Sequence, residues 1–533
     1  MRARGVICVV AVVATALVAP ASATTAGEPV IEDNIVIESF DGTPIVATLM
    51  LPRGASKARP APAVLRTHGW GGRRERVPAP GSLTERLVEE GYAVMTWDSR
   101  GFGQSGGEAN VGSPHFEVKD AFAVIDYLAR RAEIAREGPR DPLVGWTGGS
   151  NAAGVQFNTA ALDRKGVIDA IVPEISWGLL TEDLIPNGVP KQGWNELLYF
   201  AGAAGAAAEG LGSPAGPQTG IYARQIHEGH AQINSTGDVS KEIHRWFRHK
   251  STTIRSRAID APTLIIQGTV DTLFPLQDAF QNYLNLKAAR TPVKLMTYCA
   301  GHTLGCPYPG GATGYPKGEG KKPPVWQERV VAWLDRYVKG DRSAKTGPEV
   351  EWQSQDGHYN AAVRYPLPGA RDIVARTMLT GALVGPGGTG GDGATDGNPA
   401  SAAEVAGVSG AREDVYGPAA FATPILGVPK VKLTGEVTGL GGFVFFELVD
   451  VAPDGARITV DDQVTPLRLG PGKVKDTIEL SGISWMLQPG HSLELEITTG
   501  SGMYQSWRAG PYVATLEATL KLPLVVANVG DKA

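Results

Sequence analysis

Long apolar segments are almost absent from this chain of 533 residues. The one clear case lies within residues 1–23, where Arg2 and Arg4 precede an apolar run over residues 6–18 and small residues follow up to Ala23. This run is shorter than the roughly 20 residues of a membrane-spanning helix, and no other segment is long enough. The pattern predicts a secretory signal peptide cleaved near Ala23, with an uncleaved anchor helix as the alternative. We therefore expect a secreted, extracellular protein with no membrane contact after cleavage.

Cysteine is also rare, at three residues in the whole chain. Cys8 lies in the predicted signal peptide, which leaves Cys299 and Cys306, seven positions apart. In an exported protein this spacing favours a disulfide over the alternative, a pair of buried free thiols. Two cysteines with only His302 between them are a ligand short of a metal site, so no metal is expected.

The chain lacks a basic cluster. It has 50 Lys and Arg against 55 Asp and Glu, and the formal charge of −5 becomes −7 once Arg2 and Arg4 are removed with the signal peptide. Nucleic acid is therefore not an expected partner. The glycine-rich loop over residues 99–107 lacks the spacing and the following helix of a dinucleotide fingerprint, and we expect no cofactor. Asp98 and Arg100 are interpreted as a structural pair that braces this loop.

What the sequence does contain is a serine at the junction of a strand-like and a helix-like run. Residues 143–149 are apolar and end in glycines, residues 151–161 are rich in alanine, and Ser150 lies between them. Gly148 and Ala152, two residues to either side, fit the nucleophile elbow of α/β-hydrolases, although the motif usually has a second glycine where Ala152 stands. The elbow needs small residues because its tight turn leaves little room for side chains. Thr147 also has the glycine spacing, but it would lie inside the strand, so Ser150 is the preferred nucleophile.

Three other segments supply the groups that such a serine requires. A strand ending at residue 68 leads into a Gly-rich loop with Trp70, where half of an oxyanion hole is expected; a turn without chemistry is the alternative. Asp271 follows the buried strand of residues 263–266, and His302 follows the strand of residues 293–298. The order serine, acid, histidine is that of the α/β-hydrolase triad, and parallel strands would place all three side chains at one sheet edge.

The order of predicted elements divides the chain into a core, an insertion and a C-terminal domain. Strands and helices alternate before and after a helical stretch, which indicates a mainly parallel sheet with an inserted cap. Short β-prone runs after a polar linker at residues 340–347 suggest a β-sandwich or jelly roll. The predicted boundaries are 1–23 for the signal peptide, 30–176 and 259–340 for the two parts of the core, 177–258 for the cap and 348–533 for the jelly roll.

Four motifs together resemble the cocaine esterase and X-Pro dipeptidyl-peptidase family over nearly the whole mature length. They are the stretches at residues 98–107, 144–154, 268–271 and 301–302. The resemblance implies an α/β-hydrolase core, a helical cap and a C-terminal galactose-binding-like jelly roll. The chain departs from it in two places. The family usually has tyrosine where Asn151 stands, and cocaine esterase-like members use a tyrosine hydroxyl in the oxyanion hole where this chain has Trp70, whose indole can only donate.

These features predict a serine hydrolase that acts through an acyl-enzyme, with His302 as base, Asp271 as its partner and the Trp70 region and Asn151 at the oxyanion. The expected substrate is a small ester or amide, or a short peptide. An X-Pro dipeptidyl-peptidase is the first alternative, and it would need carboxylates such as Glu182, Asp183 and Glu174 to bind a free amine. A secreted binding protein with an inert core is the second. The sequence makes no prediction of the oligomeric state.

Overall fold

A computed structural model describes residues 29–207, 222–302, 306, 308, 324–355, 357–378, 383–385, 410–504 and 511–525 of the protein. The predicted signal peptide lies outside the described residues. In the described part, no helix has the length and apolar character that a membrane crossing requires. The strands up to residue 362 are β1 (Val30–Glu38), β2 (Pro44–Leu51), β3 (Ala63–Thr67), β4 (Ala93–Trp97), β5 (Arg136–Gly138), β6 (Asp141–Pro142), β7 (Val144–Gly149), β8 (Ala170–Glu174), β9 (Thr263–Gly268), β10 (Val293–Tyr298), β11 (Val350–Gln353) and β12 (Tyr359–Ala362).

Helices alternate with these strands. They are α1 (Leu83–Glu89), α2 (Glu117–Ala129), α3 (Asn151–Leu162), α4 (Leu180–Leu184), α5 (Gln192–Ala207), α6 (Arg224–Thr236), α7 (Lys241–Arg248), α8 (Leu276–Ala289) and α9 (Val325–Tyr337). The described residues also include short 3-10 helices at Pro186–Gly188 and Ser256–Ala258.

The first part of the chain is built on a ten-stranded sheet of order β1-β2-β4-β3-β7-β8-β9-β10-β11-β12. The neighbours from β4 to β11 are parallel, and β1, β2 and β12 are antiparallel additions at the edges. Neighbouring residues of β3 point to opposite faces: Leu65 packs in one buried cluster with α2, α3 and α8, and Val64 in another with α1 and α9. Helices thus cover both faces, which explains why the central strands are apolar along their length.

Helices α4 to α7 lie between β8 and β9 in the chain, where the sequence predicted the cap. The predicted boundary at residue 348 is wrong in one respect. Residues 350–362 form β11 and β12, and β11 pairs in parallel with β10, so they extend the core sheet and do not belong to the C-terminal β-domain. A strand of four residues carries no pattern that says which of two sheets it joins.

The C-terminal part consists of two antiparallel sheets. One has the order β20-β17-β23-β16-β21 with β13 and β14 on β23, and the other has the order β15-β22-β18-β19. The strands are β13 (Ala370–Met378), β14 (Leu383–Gly385), β15 (Gly410–Tyr416), β16 (Thr423–Gly427), β17 (Lys430–Gly439), β18 (Gly442–Val451), β19 (Arg457–Leu469), β20 (Gly472–Glu479), β21 (Ile483–Leu487), β22 (Ser492–Thr498) and β23 (Tyr512–Val525). Side chains of both sheets share one buried cluster, as in a sandwich.

Candidate active site

Ser150 lies on the sharp turn between β7 and α3. Its φ of 58° and ψ of −123° are unusual for a residue with a side chain, and such strain is typical of a nucleophile elbow. The Ser150 N–H donates to the carbonyl oxygen of Glu174 at 3.0 Å, and the Ser150 carbonyl accepts from the N–H of Gly154 at 3.1 Å. A Cβ on Gly148 would lie 3.0 Å from the Cβ of Ala152, which explains why both flanking positions are small.

The alternative nucleophile, Thr147, is fully buried within β7. Its hydroxyl donates to the Oε1 of Glu174 at 3.0 Å. A hydroxyl held inside the sheet in this way cannot meet a substrate, and Ser150 remains the candidate.

Asp271 and His302 are brought together by the loops that follow β9 and β10. The Oδ2 of Asp271 lies 2.7 Å from the Nδ1 of His302, and Asp271 has no exposed surface. Its Oδ1 accepts the backbone N–H groups of Leu273 and Phe274 at 3.1 and 2.9 Å. A buried carboxylate needs such partners, and these bonds also fix the direction in which Oδ2 points.

Glycines make this close approach of the two loops possible. A Cβ on Gly301 would lie 2.6 Å from the Cα of Asp271, and one on Gly268 would lie 2.0 Å from the carbonyl oxygen of Ala300. Any side chain at either position would therefore push the acid loop and the histidine loop apart.

The imidazole of His302 is enclosed by aromatic rings. Phe274 packs edge to face at a centroid distance of 5.0 Å and Trp194 at 6.1 Å. The Nε2 atom is buried and has no hydrogen-bond partner in the part of the chain that the structure describes. Phe274 also lines the cavity at Ser150, so the ring that packs on His302 borders the same space as the serine.

That cavity runs from Ser150 beneath the cap helices and is mainly apolar. Its polar lining groups include Asn151, Thr181, Asn195, His230 and His244, and no carboxylate is found among the described lining residues. Asn151 is buried, and its Oδ1 has no hydrogen-bond partner in the described residues. The apolar walls are formed by Val111, Trp177, Leu180, Leu184, Ile185, Leu198, Ile226, Ile233, Val239, Phe247 and Phe274.

The predicted oxyanion loop lies beside the serine, because a Cβ on Gly69 would be only 3.6 Å from the Cβ of Ser150. The sequence left open whether Trp70 acts there by its side chain or its backbone, and the structure places the indole elsewhere. Its N–H donates to the carbonyl oxygen of Leu198 in α5 at 2.9 Å, and the ring stacks on Tyr222. With this donor engaged by the cap, only the backbone of the loop remains to meet an oxyanion.

The same loop is held in place from both sides. A Cβ on Gly205 of α5 would lie 1.9 Å from the carbonyl oxygen of Gly71, so helix and loop meet backbone to backbone. On the other side, the Ser99 N–H donates to Nε2 of His68 at 3.0 Å, and Nδ1 lies 2.7 Å from the Gly69 carbonyl oxygen. Burial lowers the pKa of His68, which agrees with a neutral ring that accepts at Nε2 and donates at Nδ1.

The carboxylates suggested for amine binding do not line the serine cavity. Asp183 is buried beside Asp278 and Lys191, and burial raises the pKa of Asp183 and lowers that of Lys191. Glu182 borders a different cleft together with Asp183, while Glu174 accepts from Thr147 beneath the elbow. The suggested role was therefore wrong, because side-chain direction in the cap depends on packing that the sequence does not reveal.

The structure also corrects the pairing proposed for Asp98 and Arg100. Asp98 binds Arg74, whose backbone N–H donates to Oδ1 at 2.6 Å and whose guanidinium donates to Oδ2. Arg100 binds Asp120 at 2.6 Å and Asp41 at 3.1 Å. Both residues brace the loops under the site, but not as a pair with each other.

The structure joins Cys299 and Cys306 in a disulfide, which closes a loop that contains His302. Among the described residues, no group of three or more His, Cys, Asp or Glu side chains could hold a metal ion. Three supporting residues were missed from the sequence: Lys191 and Trp194 of the cap and Gln463 of the C-terminal domain all donate to the acid loop. No motif marks them, because each comes from an element remote in sequence.

Two family models match this chain. The first, X-Pro dipeptidyl-peptidase (S15 family), covers residues 41–303, which include Ser150, Asp271 and His302. The second, X-Pro dipeptidyl-peptidase C-terminal non-catalytic domain, covers residues 343–518. The chain belongs to the X-Pro dipeptidyl-peptidase S15 family. As an S15-family member it is a serine hydrolase with an α/β-hydrolase core, which argues against an inert binding protein.

Solved structures share the fold over almost the entire S15-family chain. A CocE/NonD family hydrolase from Staphylococcus aureus has a TM-score of 0.65 and 14% identity, with 94% of each chain covered. An aminopeptidase from a marine sediment Thaumarchaeota archaeon has a TM-score of 0.67 and 14% identity over 93% of this chain and 96% of that one. An alpha-amino acid ester hydrolase has a TM-score of 0.64 and 18% identity over 95% of this chain and 97% of that one.

Curated sequences match shorter stretches. The uncharacterized protein YcjY of Escherichia coli is 28% identical over 130 residues, or 24% of this chain and 40% of that protein. A non-heme haloperoxidase of Rhodococcus erythropolis is 29% identical over 225 residues, or 39% of this chain and 75% of that protein.

Proposed function

We propose that the protein is an exported serine hydrolase that cleaves ester or amide bonds through an acyl-enzyme on Ser150. The observation that carries the proposal is the 2.7 Å contact between Asp271 Oδ2 and His302 Nδ1, together with a strained serine at an elbow whose cavity is also lined by Phe274, the ring that packs on His302. A carboxylate at Nδ1 fixes the proton there and leaves the lone pair on Nε2. Nε2 can then take the proton of the Ser150 hydroxyl as Oγ attacks the substrate carbonyl. The same nitrogen protonates the leaving group, and water releases the acyl group in a second cycle.

The oxyanion is proposed to bind two backbone N–H groups. One belongs to Asn151, the first residue of α3, whose N–H has no partner within its helix. The other comes from the Gly69–Trp70 segment that lies against Ser150. The engagement of the Trp70 indole by Leu198 supports a backbone donor over a side-chain donor at this loop.

The proposed substrate carries an uncharged, apolar group on one side of the scissile bond. The walls of the cavity beneath the cap are mainly apolar side chains, and none of the described lining residues is a carboxylate that could bind an ammonium group. Burying an unpaired charge there would be strongly unfavourable. An X-Pro dipeptidyl-peptidase, the activity for which the family is named, is therefore the second candidate.

The test compares p-nitrophenyl esters of apolar acids with Ala-Pro-p-nitroanilide, using wild-type protein and Ser150→Ala. We expect kcat/KM to favour the esters by at least about 100-fold, since a missing ion pair in a dry site is worth several kcal/mol. Loss of both ester turnover and fluorophosphonate labelling in Ser150→Ala would support Ser150 as the nucleophile. Faster cleavage of the anilide than of any ester would favour the dipeptidyl-peptidase, and an unlabelled, inactive wild type would contradict the enzyme proposal.

Export is proposed from residues 1–23 alone. N-terminal sequencing of protein recovered from the medium of an expressing culture should begin near Thr24. Protein that stays with the cells and begins at its first residue would argue for an anchor or for no export.

A further inference from the structure

The backbone of the acid loop is bound from outside the hydrolase core. The Nε2 of Gln463, in β19 of the C-terminal domain, donates to the carbonyl oxygen of Asp271 at 3.1 Å and approaches that of Thr269 at 3.4 Å. Gln463 is only 6% exposed, so this bond is shielded from water. A buried amide that binds the backbone of a catalytic residue restricts the motion of that residue.

Gln463 reaches the loop because β19 carries a large bulge. Glu447 of β18 pairs with Val464 and Val449 with Thr459, so residues 460–463 lie opposite a single residue, Leu448. Two successive bulge residues, Asp461 and Asp462, have φ values of 52° and 56°. Bulges of this kind redirect a strand locally, and strained backbone tends to persist where surrounding contacts hold it.

The apolar contacts join the same two parts of the molecule. Val270, next to the acid, and both Cys299 and Cys306, which flank His302, pack in the buried cluster of the C-terminal sandwich together with Val460 and Trp485. The loops on both sides of the Asp271–His302 contact therefore rest on this domain and not on the core sheet alone.

The cap holds the other side of the loop. The buried Nζ of Lys191 donates to the carbonyl oxygens of Thr272 and Leu273 at 2.7 and 2.9 Å, and the indole N–H of Trp194 donates to the Thr272 hydroxyl at 3.0 Å. The loop is thus clamped between the cap and β19.

We propose that Gln463 is a positioning residue for the catalytic acid, so that the C-terminal domain completes the active centre. This inference rests on the proposed role of Asp271. Without the Gln463 amide, the Asp271 carbonyl loses its buried donor and the loop can shift toward the domain interface. Such a shift moves Oδ2 away from His302, whereas all the described walls of the cavity except Phe274 belong to other segments and stay in place.

The experiment compares Gln463→Met with Gln355→Met. The two substitutions are identical, and Gln355 also bonds the core to the C-terminal domain, but it does so through the Met486 backbone at 2.7 and 3.0 Å. We expect Gln463→Met to lower kcat on a p-nitrophenyl ester by about 10- to 100-fold with KM unchanged, the effect of a misplaced catalytic group. Gln355→Met should keep kcat within about two-fold. Lys191 is not the residue to replace, because its loss would leave Asp183 and Asp278 buried without a cation.

A second measurement does not depend on activity. Hydrogen exchange of peptides covering residues 269–276 should be faster in Gln463→Met than in wild type and unchanged in Gln355→Met, because the Leu273 and Phe274 N–H groups bind Asp271. If Gln463→Met fails to fold, Gln463→Asn can replace it, because it retracts the amide by one methylene. We expect this variant also to have a lower kcat and faster exchange in the loop than Gln355→Met. Equal losses of kcat in both Met variants, or unchanged exchange in the loop, would overturn the inference. Inactive wild-type protein with the exchange difference intact would instead count against the proposed function.

Discussion

At the scale of single residues, the acid is the best-defined group of the site. Each oxygen of Asp271 has its own partner, with two backbone N–H groups on Oδ1 and the imidazole on Oδ2. The carboxylate therefore both holds its loop and orients the imidazole of His302. Changing its chemistry without changing its shape separates these two tasks.

We expect Asp271→Asn to fold normally and to lower kcat by about 10⁴-fold. The amide can keep its oxygen toward the Leu273 and Phe274 N–H groups, but its NH2 then faces Nδ1 of His302 and favours the tautomer with a protonated Nε2. Such an imidazole cannot accept the serine proton. Steady-state kinetics together with a thermal melt measure this, and a loss below 10-fold would contradict the assigned role.

Trp70→Phe distinguishes a structural indole from a catalytic one. Removing an oxyanion donor typically lowers turnover by about 10² to 10³. Because the Trp70 N–H binds Leu198 instead, we expect kcat to change by less than about three-fold and the unfolding free energy to fall by roughly 1–3 kcal/mol, since the Leu198 carbonyl loses its donor. Kinetics and denaturant titration of the same preparation give both numbers. A 100-fold lower kcat with unchanged stability would instead indicate that the Trp70 indole N–H donates to the oxyanion.

The turn at Ser150 and the meeting of Asp271 with His302 could be predicted because each residue follows a strand whose apolar run is readable in the sequence. Parallel strands then place their following residues at one edge by geometry alone. The direction of the Trp70 indole could not be predicted, because its acceptor lies on a cap helix 128 positions away in the chain. Side-chain direction is set by packing between elements, and a single sequence contains little trace of it.

At the scale of elements, helix α3 illustrates how closely the elbow is packed. Gly154 occupies its first turns, and a Cβ there would lie 2.0 Å from Cζ2 of Trp177. Trp177 is nearly fully buried, and its indole N–H binds the Lys250 carbonyl at 2.9 Å, so the only space open to the ring is the cavity that it lines. The helix that supports Ser150 and the wall of the substrate cavity are therefore in direct contact.

Two effects oppose each other in Gly154→Ala. Alanine gains about 1 kcal/mol in helix propensity, whereas overpacking a rigid core position costs roughly 1–3 kcal/mol. At a distance of 2.0 Å the collision dominates, so we expect a net loss of stability and a raised KM as Trp177 is displaced into the cavity. Gly470→Ala is the control, since a Cβ there meets no atom within 4 Å. Stabilisation by Gly154→Ala in denaturant titration would contradict the packing.

At the scale of the whole molecule, the C-terminal domain contains a buried acid that links stability to pH. Burial, with the nearby Glu496 carboxylate, raises the pKa of Glu447 to about 8. Between the unfolded pKa of about 4.3 and this value, the folded state keeps a proton that the unfolded chain releases. The unfolding free energy contributed by this group therefore falls as pH rises through that window.

We expect Glu447→Gln to remove this dependence, because the amide oxygen can still accept from the Thr459 hydroxyl at 3.2 Å. Denaturant titrations at pH 5 and pH 8 measure the unfolding free energy of both proteins. Relative to wild type, the unfolding free energy of the variant should rise by on the order of a few kcal/mol between pH 5 and pH 8. If the unfolding free energies of the two proteins change with pH in parallel, Glu447 is not protonated in the folded state.

Helix α5 and the loop around Gly71 meet with no side chain between them, and the Trp70–Leu198 bond fastens them a second time. A motion that lifts the cap from the core would therefore drag the proposed backbone donors away from the serine. Under the proposed mechanism, turnover would require the cap to return to this position, and we expect an ester too bulky for complete closure to bind without being hydrolysed.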